Sequence, residues 1–579
     1  MERPTKAFLS RLDACRKRMY ASGRVETLRE LLERSKKYYG GREQFAEKVK
    51  KETVFYSVDR FYSDVSAVGE KLMSLGGCVH AAIVGENSYG WVVAFFAAAC
   101  SGNVAVPIDR ELDDGKIAEL SEKADCRVMF FSPAYSGAAR LFLEGKENRI
   151  AICLSSKPRD IVCPELSDID SAFSDTPSFA SVSPKPEDTA VIIFTSGTTG
   201  ANKGVMLSHA NLCSNFTDLA HTIKPVSSAM SVLPMNHAYE LSCIVLTAIY
   251  MNALLYINDS LRRFEKNLAE FHPEAMAAVP MLLDSVYKLI VSRAEEKGKA
   301  KKLFRCVKLS NFLLKLGIDL RKILFGDITA QFGYKLPAIS VGGAPTDGEK
   351  AAFLASLGFD IYVGYGLTEA SPIVTLNRDV IRAPDSVGKC LPGCELRISE
   401  PDENGIGEIE IRGKNVSNGY WKDEEADRLS FRDGWFLTGD YGRIGKDGEL
   451  YIVGRKKNII ILDNGKNIYT EELENHFVRN SDIIKEAVVF AAEKPTPSGK
   501  SKYLAMTVFA APDGENGMNK TELQNAVEAE LERLNASLPP YERVAEVVTV
   551  TEELKKTSTL KIIRSEAEKI YKEYKKRKV

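Results

Sequence analysis

The sequence predicts an α/β fold built on a mostly parallel, doubly wound sheet. The first observation is the order that starts at His80: a β-prone run (AAIVG), a helical run (Tyr89–Cys100), a glycine where a helix C-cap belongs, and a β-prone run ending at Pro107. The second is a pair of further apolar β-prone runs, at Cys126–Phe131 and Arg149–Leu154. The third is the stretch Ser386–Tyr420, rich in glycine and β-prone residues such as GEIEIRG (407–413), which adds a small β-rich lobe.

Taken in order, residues 1–50 carry helical spacing, and TLRELLERSKKYYG (27–40) reads as an amphipathic helix stopped by Gly40 and Gly41. The strand–helix–strand unit and its two successors follow. Residues 157–188 are rich in Pro, Ser and Asp and read as a surface linker. His209–Ile223 reads as a helix, and 231–240 as a β-prone run turning into a helix start. A long cationic helical insertion occupies 286–335, ahead of the β-prone run Ala338–Val341. Thr470 with Glu472 and Leu473 marks a helix N-terminus, and Thr521–Leu534 another helix.

Bulk properties narrow the partners. A chain of 579 residues holds several domains or lobes, each able to bury its own core. With 78 Lys+Arg against 79 Asp+Glu the net charge is −1, so no global field favours nucleic acid, and none is expected as a partner. The basic runs Lys297–Lys302 and Lys572–Lys578 read as solvated helix faces. Eleven cysteines are scattered; the closest pair, Cys390 and Cys394, is not a CxxC, and no Cys/His cluster has zinc spacing. The amino terminus is too charged for a signal peptide, and the apolar runs at 91–100 and 244–257 are too short to span a membrane. The expectation is a soluble cytoplasmic protein, with peripheral membrane contact left open.

Chemistry concentrates at IIFTSGTTGANKGVMLSH (192–209). An apolar β-prone run stops at Thr195, and the loop to Gly204 holds three glycines, the hydroxyls of Thr195, Ser196, Thr198 and Thr199, and Lys203. Such a loop can wrap a polyphosphate: glycines let backbone N–H groups approach, hydroxyls donate to oxygens, and lysine offsets charge. A solvated hairpin has the same composition, so the residues alone leave both readings open. The Walker A pattern fails, because Asn202 and Gly204 stand where it needs Gly and Ser/Thr, and a β-prone run follows instead of a helix.

A second cluster is VGYGLTEASP (363–372). The glycine-flanked Tyr365 can lie against a purine, and Thr368 and Glu369 follow Gly366 closely. A carboxylate facing a triphosphate repels it unless a cation intervenes, so Glu369 implies Mg²⁺; a strand-to-loop turn with a capping Thr is the alternative. Further on, Asp440 follows a Thr-Gly turn and is suited to accept two ribose hydroxyls, with Arg455 a second donor. Asp440 as a turn cap and Arg455 as a surface cation stay open too.

These stretches, with GWFLTGDYGRIGKDGELYIVGRKKNIIILDNGKNIYTEELE (434–474) and LKKTSTLKIIR (554–564), resemble the adenylate-forming (AMP-binding) superfamily. The insertion at 286–335 is most similar to that of bacterial long-chain fatty acyl-CoA synthetases. The resemblance runs from about residue 25 to 565. It implies a large N-terminal domain (1–455) of two doubly wound α/β subdomains plus a small β-rich lobe, and a smaller, mobile C-terminal α/β domain (456–579) hinged at Lys457. It implies fatty acid, ATP, Mg²⁺ and coenzyme A as reactants or cofactors. An acyl carrier protein as acceptor, an aryl or other carboxylate as substrate, and a nucleotide-binding protein without catalysis remain as alternatives.

Site roles come with the same resemblance. Thr195, Ser196, Gly197, Thr198, Thr199, Gly200 and Lys203 hold the phosphates. Gly343, Ala344, Tyr365 and Gly366 hold the nucleotide, Asp440 and Arg455 the ribose, and Glu369 the metal. His237, which on its own reads as structural, falls beside the reacting carboxylate. Thr368 and Lys561 complete the catalytic set, although Leu560 replaces the usual glycine before that lysine. Gly465 would face the pantetheine channel. The acyl pocket is expected behind His237, Tyr239, Met281, Gly343 and Tyr365.

Overall fold

Thr27 caps helix α1 (Leu28–Tyr39) by accepting from the Glu30 N–H, and Gly40 closes it by donating to the Lys36 carbonyl. The computed structural model describes residues 23–50, 52–155, 178–196, 202–330, 338–463, 466–496, 499–511, 518–556 and 562–578. Most of the expected linker lies outside them.

After α1 the chain forms a hairpin, β1 (Glu43–Val49) and β2 (Glu52–Ser57), where helical spacing had been read. Phe45 and Ala46 are fully buried, while the flanking Glu and Lys residues hide the alternation. Tertiary pairing overrides the local signal. Strands β3 (His80–Val84), β4 (Val104–Pro107), β5 (Cys126–Phe131), β6 (Ile150–Cys153), β7 (Thr189–Ser196) and β8 (Asn202–Ser208) form a six-stranded sheet, order β6-β5-β3-β4-β7-β8. It is parallel except for the hairpin partner β8.

Strands β9 (Ser228–Ser231), β10 (Leu254–Ile257), β11 (Ala275–Ala278), β12 (Ala338–Val341), β13 (Asp360–Gly366), β14 (Ile373–Asn377) and β15 (Lys389–Cys390) join the first hairpin in a nine-stranded sheet. Its order is β15-β14-β13-β12-β11-β9-β10-β1-β2. The strands from β13 through β1 are parallel; β14, β15 and β2 are antiparallel edges. Helix α2 (Tyr89–Cys100) is apolar on every side and buried along nearly its whole length, as a helix in the main core must be. Helix α3 (His209–Thr222) starts at a reciprocal capping box of Ser208 and Asn211.

The insertion is three helices, α4 (Pro280–Glu296), α5 (Ala300–Lys315) and α6 (Arg321–Ala330), followed after β12 by α7 (Gly348–Ser356). The β-rich lobe is a five-stranded sheet of β16 (Cys394–Ser399), β17 (Gly407–Gly413), β18 (Phe431–Arg432), β19 (Trp435–Ile444) and β20 (Leu450–Arg455). Beyond a small pair, β21 (Ile460–Ile461) and β22 (Asn467–Ile468), comes a sheet of β23 (Ile484–Thr496), β24 (Gly499–Ala510) and β25 (Val544–Val550). Helices α8 (Thr470–Arg479), α9 (Lys520–Asn535) and α10 (Arg564–Lys578) accompany it. Leu473 and Phe477 of α8 and Leu523, Val527 and Leu531 of α9 share a core with Val489 and Val508 of the strands. By packing, the chain divides into Met1–Leu396 with Ile411–Phe436 and Arg397–Glu410 with Leu437–Val579.

Candidate active site

Parallel strands send their C-terminal loops out along one sheet edge. In the nine-stranded sheet the chain leaves β9 for β10 on one side and returns to β11 on the other, so the strand order reverses at β9. Crevices at such reversals are where α/β sheets bind ligands. Along this edge lie His237 after β9, Gly343 and Ala344 after β12, and Tyr365, Gly366, Thr368 and Glu369 at the end of β13. Two glycines here are required. Gly343 has φ +83°, and a Cβ on Gly366 would stand 2.0 Å from the Pro372 carbonyl oxygen.

The loop carrying His237 is held from two sides. Asn87 donates to the Leu233 carbonyl at 2.7 Å and accepts from the Met235 N–H at 3.0 Å. Glu240, fully buried, accepts from the Val232 N–H at 3.0 Å. Burial raises its carboxyl to about 8. The sequence reading missed both residues: Asn87 lies in the unremarked loop after β3, and a buried acid carries no local signature.

A trio forms around Glu369. Its Oε1 accepts from the Tyr420 hydroxyl at 2.9 Å, and the Lys203 ammonium lies 4.9 Å over the Tyr420 ring. The trio follows from backbone pairing. Thr195 pairs with Lys203 in the β7–β8 hairpin, Val205 bridges Tyr420, and Trp421 N–H donates to Gly204. Ser417 N–H donates to the Glu369 carbonyl at 2.8 Å, so one short segment ties the lysine strand to the carboxylate loop. Burial and the Glu369 charge both raise the Tyr420 hydroxyl above its ordinary pKa. Tyr420 was not expected; its only signal was an aromatic after a glycine at the end of a β-rich stretch.

Among the described residues no group of three or more His, Cys, Asp or Glu could hold a metal. Glu369 as a single carboxylate fits Mg²⁺, which is commonly bound by one or two carboxylates together with substrate phosphates.

In the other unit, Asp440 and Arg455 face each other across β19 and β20, with Arg455 Nε 2.7 Å from Asp440 Oδ1. Asp440 is buried and Arg455 partly exposed. Lys457 follows in a single 3₁₀ turn; burial, then the charges of Arg455 and Arg564, lower its ammonium pKa. Gly197, Thr198, Thr199, Gly200, Gly465 and Lys561 lie outside the described residues. Ser196 ends β7, and Thr195 is half-buried beside it.

Under the crevice lies a narrow apolar cavity of about 40 Å³, walled by α3, by the helical run after His237 and by the strands. Leu219, Ile223, Cys243, Ile244 and Tyr362 contribute to its lining, with Lys224, Thr247 and Ser340 its polar members. The Tyr239 hydroxyl donates to the Ser340 carbonyl at 2.8 Å. A Cβ on Gly342 would meet the Tyr239 ring at 3.5 Å. The helical run contains a π turn, Leu241–Leu246. Met281 is exposed at the start of α4 and is not among the residues that line this cavity.

The AMP-binding enzyme family model matches residues 32–421, and the model for the AMP-binding enzyme C-terminal domain matches 457–575. The long-chain-fatty-acid–CoA ligase 6 of Mus musculus is 28% identical over 434 residues, covering 69% of this chain and 62% of the mouse protein. The long-chain-fatty-acid–CoA ligase FadD15 of Mycobacterium bovis is 28% identical over 441 residues, 71% of each chain. This chain thus spans less than two thirds of the mouse relative. Among solved structures, the O-succinylbenzoate coenzyme A synthetase of Bacillus subtilis in complex with ATP and magnesium ion superposes with a TM-score of 0.71 at 19% identity, covering 93% of this chain and 99% of that one. ATP-bound MatB from Rhodopseudomonas palustris gives 0.71 at 20% identity, covering 94% and 99%. These neighbours share the mixed α/β fold.

Proposed function

The chain belongs to the AMP-binding enzyme family, and from that premise we propose that it activates a fatty acid with ATP and transfers the acyl group to coenzyme A. One observation carries the choice of an amphiphilic acid. The apolar cavity runs from Ser340, two residues before Gly342, toward the starts of β9, β11 and β12, a lining that suits an alkyl tail whose carboxylate lies toward the glycine turn. The long-chain ligases among the relatives support the same substrate class.

In the first half-reaction a carboxylate oxygen attacks the α-phosphorus, the bond to the bridging oxygen breaks, and pyrophosphate leaves. The difficulty is bringing an anion to a polyanion, and it is met by positioning and charge. On this reading Lys203 and the loop from Thr195 to Gly200 hold the phosphates, and His237 orients the carboxylate. Thr368 donates beside the α-phosphate, Tyr365, Gly343, Ala344 and Gly366 receive the adenosine, and Asp440 with Arg455 the ribose. Mg²⁺ held on Glu369 would supply charge neutralisation. Lys561 neutralises charge between carboxylate and α-phosphate.

In the second half-reaction the thiol sulfur attacks the acyl carbon and AMP leaves, with Gly465 giving the pantetheine arm room. The C-terminal domain, from residue 456, turns about Lys457 between the two steps. The reaction belongs to the cytoplasm.

The test is fatty-acid-dependent pyrophosphate release from Mg·ATP, with and without coenzyme A, across acids from acetate to oleate. Release that peaks with longer acids and turns over only with coenzyme A is the expected result. Release without turnover by coenzyme A would point to a carrier-protein thiol, and silence with every acid would reject the assignment.

A further inference from the structure

Exposed large apolar side chains gather on the insertion: Phe312, Leu316 and Ile323 are 59%, 61% and 79% exposed, and Phe304, Leu309 and Ile318 are exposed as well. Helix α5 explains the pattern. Leu303, Val307 and Ser310 are its buried residues and form one stripe packed inward. At about 3.6 residues per turn, Lys301, Arg305, Lys308 and Lys315 fall on the opposite side. Leu309, Phe312 and Leu316 fall among them on that same outward face, while Phe304 lies at its flank with its ring 5.4 Å from that of Phe353. From Lys297 to Leu316 the chain holds seven cationic side chains and no acidic one.

A solvated helix face explains the lysines but not the phenylalanine and leucines between them. A protein groove would bury the apolar groups but needs acids to answer so many cations. An anionic bilayer answers both, because apolar side chains enter the headgroup boundary while lysine and arginine stems lie along it with their charges at the phosphates. No helix among the described residues is long and apolar enough to cross a membrane, so the contact is peripheral.

We propose that the outward face of α5, with the exposed Ile318 and Ile323 that follow it in the chain, docks this chain on the surface of an anionic lipid bilayer. The insertion joins β11 to β12, whose Ala275, Met276, Ala338 and Ser340 line the apolar cavity. Docking there fixes the unit that holds the cavity to the phase in which a fatty acid dissolves. Lipid binding is independent of turnover, so it stands or falls apart from the assigned reaction.

The experiment is co-sedimentation of the full chain with vesicles of phosphatidylcholine alone and of equal parts phosphatidylcholine and phosphatidylglycerol, at low and high salt. The expected result is binding to the anionic vesicles that weakens with salt. Each basic residue near such a surface contributes on the order of fivefold, so the triple variant Lys301→Glu, Arg305→Glu, Lys308→Glu should lose roughly a hundredfold or more. The pair Phe312→Ser, Leu316→Ser should weaken binding while leaving pyrophosphate release with soluble short acids and the melting temperature unchanged. No binding to anionic vesicles, or equal binding by the α5 variants, overturns the proposal. Loss of binding only when Lys572 and Lys575 of α10 are reversed overturns it too. Self-association of the chain without lipid, abolished by the Phe312/Leu316 pair, would assign the face to a second copy instead.

Discussion

The Tyr420 hydroxyl donates to Glu369 Oε1 at 2.9 Å, and the same ring underlies the Lys203 ammonium. One side chain therefore sets the direction of a carboxylate and faces the Lys203 cation. Removing only the hydroxyl separates these effects. Tyr420→Phe keeps the ring beneath Lys203 and frees Glu369 to rotate. Hydrogen bonds to charged groups contribute about 1.5–3 kcal/mol, and the lower end applies because Glu369 is only half-buried. The expectation is roughly a tenfold fall in kcat/KM for Mg·ATP, with a raised Mg²⁺ requirement. Magnesium titrations of both proteins check it, and an unchanged requirement would deny Glu369 the metal.

Lys561→Ala should abolish pyrophosphate release yet leave thioester formation from supplied acyl-AMP largely intact, since only the first step brings a carboxylate to the phosphates. The two half-reactions are assayed separately. Equal loss in both would remove the lysine from the role assigned to it.

Much of this was legible in the residues, for reasons that differ from place to place. Ser88 and Ser208 cap α2 and α3 where sequence put helix starts, because caps are local chemistry. The strand–helix–strand unit at 80–107 was legible because a buried parallel strand is a plain apolar run. The hairpin β1–β2 was not, because its register comes from pairing with β10, some two hundred residues on. Tyr420 escaped for the same reason: pairing of residues 417–421 with the Gly204–Met206 strand and with Glu369, distant in sequence, brings it to Lys203 and Glu369. The cavity wall escaped because Cys243, Ile244 and Thr247 look like any core helix until the sheet beneath them is known.

The cavity offers a test of chain length. At about 40 Å³ it admits a long acyl chain only if its walls part, and the π turn 241–246 forms one wall. Cys243 lines it and is 4% exposed. Cys243→Phe fills the space from the helix side, at a packing cost of about 1–3 kcal/mol. The expected effect is a loss of at least roughly tenfold in kcat/KM for long acids relative to short ones. A panel of saturated acids measures it. Equal loss at every length would mean that the tail does not enter here.

Glu240 ties the His237 loop to stability through pH. Its carboxyl is buried and raised from 4.5 to about 8, chiefly by burial, while its Oε1 accepts from the Val232 N–H. Below pH 4.5 both folded and unfolded chains hold the proton, and the group adds no pH dependence. Between 4.5 and about 8 the folded chain binds the extra proton, so stability falls as pH rises, and above that it levels off. At neutral pH this costs on the order of 3 kcal/mol. Glu240→Gln keeps an acceptor for Val232 and removes the ionisation. It should match the parent near pH 4.5 and exceed it increasingly up to about pH 8. Thermal unfolding of both proteins across that range measures the gap. A parent that instead gains on the variant as pH rises would mean that the folded protein holds an ionised carboxylate there, and that the loop before His237 depends on its charge.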